Sequence, residues 1–198
     1  MVRVPPIDAT ARAPGEEARV DRAQAEWLLA TRELLEVGRL ADAVRARVAG
    51  AAVAVLDAAD ADADRGARVV TYGGTESYAD RLDALFAVRS EHDRTGLVTA
   101  VVLRPVSQAI TGSAGSDGRF GATSGWDDLK TVAVARLVCD RVPHVRVAGH
   151  DPELAGVALR FGADQIERPG RPLGATDPGL ERVVTGAGRT LLVLGTLA

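Results

Sequence analysis

The sequence predicts an α/β fold: a helical N-terminal segment, then a parallel sheet of about four to six strands forming a partial β/α barrel. Three observations predict it. From Arg68 onward, short apolar runs alternate with amphipathic stretches of helical length, the pattern of parallel strands joined by right-handed crossovers. The run 97–103 is apolar almost throughout, as a strand covered on both faces requires. Only about four such units are present, too few to close an eight-stranded barrel.

Each element has its own justification. Residues 1–19 carry Pro5, Pro6, Pro14 and Gly15 without a hydrophobic period and read as a flexible leader. Residues 20–50 form the helical segment. Asp21 caps a first helix with Trp27, Leu28, Leu34 and Leu35 on one face, Gly38 ends it, and a second helix over 40–48 stops at Gly50. The β/α domain takes residues 51–198. Its apolar stretch 51–56 is a buried-strand candidate, and the acidic, alanine-rich 57–65 a linker or short exposed helix. A strand over 69–72 leads to a helix over 77–94 that buries Tyr78, Leu82, Leu85 and Phe86. After the strand 97–103 comes a glycine-rich insertion, 110–125, and a helix over 126–140 started by Ser124. A strand over 145–148 precedes a helix with Asp151 as N-cap and Pro152 at its first position, burying Leu154, Val157, Ala158 and Phe161. A brief strand follows at 163–166. The tail 189–197 is a hydrophobic strand candidate whose partner the sequence does not name.

Composition narrows the function classes. With 198 residues, 46% of them hydrophobic, and a net charge of −3, the chain suits one small domain and offers neither a nucleic-acid surface nor a disordered acidic tail. No apolar run approaches the ~20 residues of a membrane span, and the N-terminus lacks the apolar block of a secretory signal. The single cysteine, Cys139, excludes a disulfide framework and agrees with a reducing cytoplasm, the expected location. Arginine supplies nearly all the positive charge, Lys130 being the one lysine, a bias typical of a GC-rich bacterial genome.

In parallel β/α folds the C-terminal strand ends gather around one site. Glu76, Arg104 and His150 fall there, and so does Tyr72-Gly73-Gly74, where two glycines permit close backbone approach and free amides can hold an anion or a nucleotide edge. The competing reading is ordinary solvated loop ends. Other motifs fail. The insertion lacks the Gly-Lys-Ser/Thr ending of a phosphate loop, and no G-x-S-x-G elbow exists. His92, His144 and His150 are too scattered for a metal signature, so no metal site is expected. Cys139, inside a helix beside Val138, reads as a buried inert thiol.

Several segments carry a resemblance: Thr71-Tyr72-Gly73-Gly74-Thr75-Glu76, Arg81-Leu82, Asp127 to Leu137, Pro143-His144-Val145 and Phe161-Gly162-Ala163-Asp164. They resemble the C-terminal half of the radical S-adenosylmethionine enzymes of the futalosine route to menaquinone, the aminofutalosine synthase and dehypoxanthine futalosine cyclase group, with the deazaflavin-cofactor synthases as close relatives. Residues 20–48, with Leu34-Leu35-Glu36-Val37-Gly38 and Leu40-Ala41-Asp42, resemble the helical segment before the same barrel. The resemblance therefore implies half of a TIM-type barrel, with residues 50–70 standing where most of the radical core should lie. It also implies a ligand beside the first strand end, since there the family holds the adenosyl part of its cofactor; Gly73, Gly74 and Glu76 are the residues carried over. The family usually has His where this chain has Gly74. Its four-iron cluster needs a CxxxCxxC loop, and one thiol cannot ligate such a cluster, so no iron–sulfur cluster is expected and S-adenosylmethionine loses its main tether. The expectation is a cluster-less, catalytically inactive relative that serves as a partner or small-ligand-binding protein. Tyr72, Gly73, Gly74, Glu76, Arg104 and His150 are its candidate ligand-binding residues, for a nucleoside-like ligand. The alternative is a non-radical enzyme acting on a futalosine-like or other small polar substrate. A half-barrel leaves two sheet edges open. Three arrangements cover them: self-association, pairing with a full-length radical relative, or folding of 51–56 and 189–197 onto the edges.

Overall fold

The computed structural model describes residues 19–57, 64–106, 123–150, 152–168 and 178–193. The leader before Arg19, most of the glycine-rich insertion, most of the acidic linker, and Asp151 lie outside them.

The N-terminal segment is helical, but its break falls elsewhere than expected. α1 (Arg22–Ala30) starts with a capping box in which the Asp21 side chain accepts from the Gln24 amide and Gln24 reaches back to the Asp21 amide. It stops at Thr31, whose backbone is extended, and α2 (Leu34–Ala49) restarts three residues on. Gly38 is thus inside α2, not at a helix end. Its reason is packing: a Cβ there would lie 2.5 Å from Cε1 of Phe161. Moving the break rotates the buried face, so Leu28, Leu34 and Val37 are buried while Trp27 and Leu35 turn outward, the latter 80% exposed.

Six strands form one parallel sheet among the described residues: β1 (Ala52–Asp57), β2 (Ala67–Tyr72), β3 (Ala100–Pro105), β4 (His144–Ala148), β5 (Gln165–Arg168) and β6 (Thr190–Val193). The order is β2-β3-β4-β5-β1-β6. Four consecutive strands lie side by side, as in a barrel. β1 then pairs with β5, Val55 opposite Ile166, as the first strand of a closed barrel pairs with its last, and β6 adds beyond it with Val53 opposite Leu191. The expected partial β/α barrel is therefore present, and both segments of uncertain placement join its sheet. β3 begins at Ala100, not 97. Gly96 caps the preceding helix in the left-handed conformation and the Leu97 amide is taken by Thr95 Oγ1, leaving Leu97 exposed in the turn.

Helices alternate with strands: α3 (Tyr78–Thr95), α4 (Gly125–Val138), α5 (Pro152–Ala158) and α6 (Pro178–Gly186). Of the side chains expected inside α3 and α5, Leu82 and Leu85 are buried, whereas Tyr78 and Val157 are exposed. The sequence reading has no helix before the tail; α6 is short, and its Leu180 and Val184, with Ala187 just beyond its end, bury at i, i+4 and i+7. α4 is buried from Asp128 to Val138 because it lies between the sheet and the N-terminal helices. Lys130 Nζ donates to the Leu29 carbonyl at 2.8 Å, placing a cation at the C-terminal end of α1.

The resembling segments of the second half meet at one buried clamp. Arg136, fully buried, pairs with Asp164 Oδ1 at 2.5 Å and donates from Nε to the Gly162 carbonyl and from Nη1 to that of Val142. Asp164 also accepts from the Val145 amide at 2.8 Å and from His144 Nδ1 at 2.6 Å. Gly162 has φ +101, and a Cβ there would sit 2.8 Å from Cβ of Arg136. These residues hold α4, β4 and β5 together; His144 belongs to the framework.

Candidate functional site

β2 ends at Tyr72, and alternation along a strand decides which face each neighbour serves. Tyr72 points towards the helices. It is fully buried, with Oη 2.8 Å from Asp128 Oδ1 in the first turn of α4 and 2.8 Å from His150 Nε2 just beyond β4. Burial and the Asp128 charge push the Tyr72 phenol far above its ordinary value, so it stays protonated.

Beyond Tyr72 the chain turns. Gly73 has φ +86, and a Cβ there would lie 2.3 Å from Cγ2 of Thr123, so both the turn and the close approach require glycine. Gly74 is less constrained: a Cβ would make ordinary contact, 3.5 Å from both Val106 and the Glu76 carboxylate. The amides of Gly73 and Gly74 donate to Glu76, at 2.7 and 2.8 Å. The anion in this glycine turn is thus the protein's own carboxylate. Glu76 also pairs with Arg81 at 2.8 Å.

Arg81 organises the rim. Its guanidinium lies 4.9 Å over the Tyr72 ring and 5.2 Å over that of Tyr78, pairs with Asp127 at 3.0 Å, and donates to Thr131 Oγ1 at 2.6 Å. Its Nε, buried, has no partner among the described residues. Ser124 caps α4 by accepting from the Asp127 amide, which fixes both aspartates in the positive first turn of that helix.

The structure thus brings Tyr72 into direct contact with His150, and joins Gly73, Gly74 and Glu76 to them through Arg81. Arg104 stands apart. It is opposite Thr71 in register and therefore on the other face of the sheet, where it reaches Glu167 at 2.9 Å across β4. That face is polar along its middle: Arg146, 1% exposed, donates to Gln165 and pairs with Asp64, and Asp64 accepts from Thr99. Sequence reasoning missed Arg81, Asp127 and Asp128 as members of the site. The available signal was Arg81 one and a half turns beyond Glu76, with paired aspartates opening a helix that starts at a strand end; each alone reads as helix-end chemistry.

Among the described residues no three His, Cys, Asp or Glu side chains gather as metal ligands, and no helix is long and apolar enough to cross a membrane. Cys139 is fully buried, donates to the Leu85 carbonyl, and burial pushes its thiol up to about 12.

Acid should loosen the rim first. Burial opposes ionisation of Glu76, but the Gly73 amide, Arg81 and the Gly74 amide outweigh it and hold the carboxyl below its usual value; Asp64 is likewise held down by Thr99 and Arg146 against burial. A depressed carboxylate stabilises the fold above its unfolded value and loses that contribution as pH falls through the folded one. The urea midpoint should be level above about pH 5 and decline below about pH 4.5, with a shallower decline in Glu76→Gln. An identical decline in that variant would remove Glu76 from the account.

Fold and rim together define part of a parallel β/α barrel with a polar cluster at its strand ends. No family model matches the chain. Two curated proteins do, both named aminodeoxyfutalosine synthase. That of Thermus thermophilus is 32% identical over 134 residues, covering 60% of this chain and 36% of the relative; that of Streptomyces coelicolor is 33% identical over 104 residues, covering 48% and 27%. The chain is related to these synthases, as the futalosine-route resemblance implied, and spans about a third of their length.

Proposed function

We propose that this chain is a cluster-less relative of the aminodeoxyfutalosine synthases that does no radical chemistry by itself and binds a small nucleoside-like ligand at the strand ends. One observation carries it: the sole cysteine is buried and protonated behind the sheet. The groups left at the strand ends suit a ligand of that kind. Arg104, 43% exposed, offers a guanidinium beside Glu167, while Tyr72, fully enclosed, shapes the strand ends through Asp128 and His150 and does not touch the ligand. With no cluster to hold its methionine end, S-adenosylmethionine binds weakly or not at all. The same surface serves a partner protein if the ligand is shared with a full-length radical relative.

The test has two arms. Reconstituted anaerobically with iron and sulfide, the protein should stay colourless; a stoichiometric cluster with reductive cleavage of S-adenosylmethionine would overturn the proposal. In thermal shift, nucleosides or futalosine-type compounds should stabilise it, and Arg104→Ala should weaken that binding by about 1–3 kcal/mol. No shift with any of them removes the ligand reading. A second reading, a non-radical enzyme, is favoured by the contact of His150 with Tyr72, since imidazole is the side chain suited to proton transfer near neutrality. Turnover of a stabilising compound, lost in His150→Ala, would establish it.

A further inference from the structure

We infer that Asp128, Tyr72 and His150 form a buried proton relay that binds one proton as a unit, Tyr72 passing it between the Asp128 carboxyl and the His150 imidazole. Donor counting carries the inference, and it does not depend on which ligand the rim takes. His150 Nδ1 lies 3.1 Å from the Ala148 carbonyl, which only accepts, so Nδ1 bears a proton. Two further contacts, Asp128 to Tyr72 and Tyr72 to His150 Nε2, are each 2.8 Å long and each need a proton. The phenol has one. With a carboxylate and a neutral imidazole at its ends, the chain is one proton short, and one contact sets lone pair against lone pair. Tyr72 is fully buried and Asp128 only 4% exposed, so water cannot repair that mismatch cheaply.

One added proton satisfies every contact, in either of two arrangements. In the first, the Asp128 carboxyl donates to Tyr72 and Tyr72 donates to Nε2. In the second, the carboxyl O–H bond has broken as a new one forms at Tyr72 Oη, and the former phenol proton has moved to Nε2, leaving carboxylate, phenol and imidazolium. Atoms and charge balance between them. The neighbouring charge favours uptake: Arg81 over the Tyr72 ring is opposed by two carboxylates, Glu76 and Asp127, before Asp128 is counted. Burial pulls an imidazolium at His150 below its usual value, against the pull of Asp128 and the Ala148 carbonyl. The relay relieves that conflict, because its first arrangement carries no charge. His150, the least buried of the three, is where the proton is exchanged with the rim.

The experiment is an NMR titration of the full chain, following the ring nitrogens of His150, assigned by loss of the signal in His150→Gln. Tyr72→Phe keeps the ring and the Asp128 charge but removes the hydroxyl. The His150 midpoint should then fall by about one pH unit, tenfold in proton affinity, and Asp128→Asn should lower it similarly. A midpoint unmoved by Tyr72→Phe but lowered by Asp128→Asn would reduce the coupling to charge through space and refute the relay.

Discussion

Arg136→Ala is expected to destabilise the fold by about 3–5 kcal/mol, the cost of leaving a buried charge without its partner. Arg136 and Asp164 are 0% and 2% exposed at their side chains, so the abandoned carboxylate has no water to turn to. The carbonyls of Gly162 and Val142 lose their donors in the same step. Asp164 would keep the Val145 amide and His144, which limits but does not cancel the loss. Urea denaturation measures it. Pairing Arg136→Met with Asp164→Asn should cost less than the two single changes added together, since the uncompensated charge disappears with the second. A cost below about 1 kcal/mol for Arg136→Ala would mean that α4, β4 and β5 do not depend on this clamp.

Arg81→Met should cost about 2 kcal/mol, below the range for a fully buried pair because Glu76 and Asp127 each keep about a fifth of their side-chain exposure. Methionine keeps an aliphatic stem but removes the guanidinium that lies over Tyr72 and Tyr78 and leaves two carboxylates near each other without a cation. The rim should suffer more than the global stability suggests. Glu76 holds the Gly73 and Gly74 amides only while it is itself held, so faster hydrogen exchange at those two amides is the specific sign. Unchanged exchange alongside lowered stability would make Arg81 a packing residue and no organiser of the site.

Much of the architecture was legible in the chain because it is encoded by near neighbours. Asp21, Ser77 and Ser124 cap helices by accepting from amides three residues on, and an apolar run such as 100–103 marks a buried strand wherever it pairs. That Tyr72 and His150 lie at strand ends of β/α units was legible for a different reason: parallel β/α order alone sends strand ends to one rim. Gly38 was misread because a glycine that ends a helix and one that admits a neighbour's ring look alike in sequence; Phe161, far along the chain, distinguishes them.

By itself, then, the sequence determined the β/α alternation, the helical segment before it, the kinship with the futalosine-route synthases, and the presence of a single thiol. Tertiary structure alone decided that β1 lies between β5 and β6, that Glu76 fills its own glycine turn, and that Asp128 meets Tyr72 across 56 residues of chain. The reason is range. Caps, turns and periodicity depend on atoms a few residues apart, whereas strand partners and buried polar contacts are chosen by which distant surfaces can exclude water together.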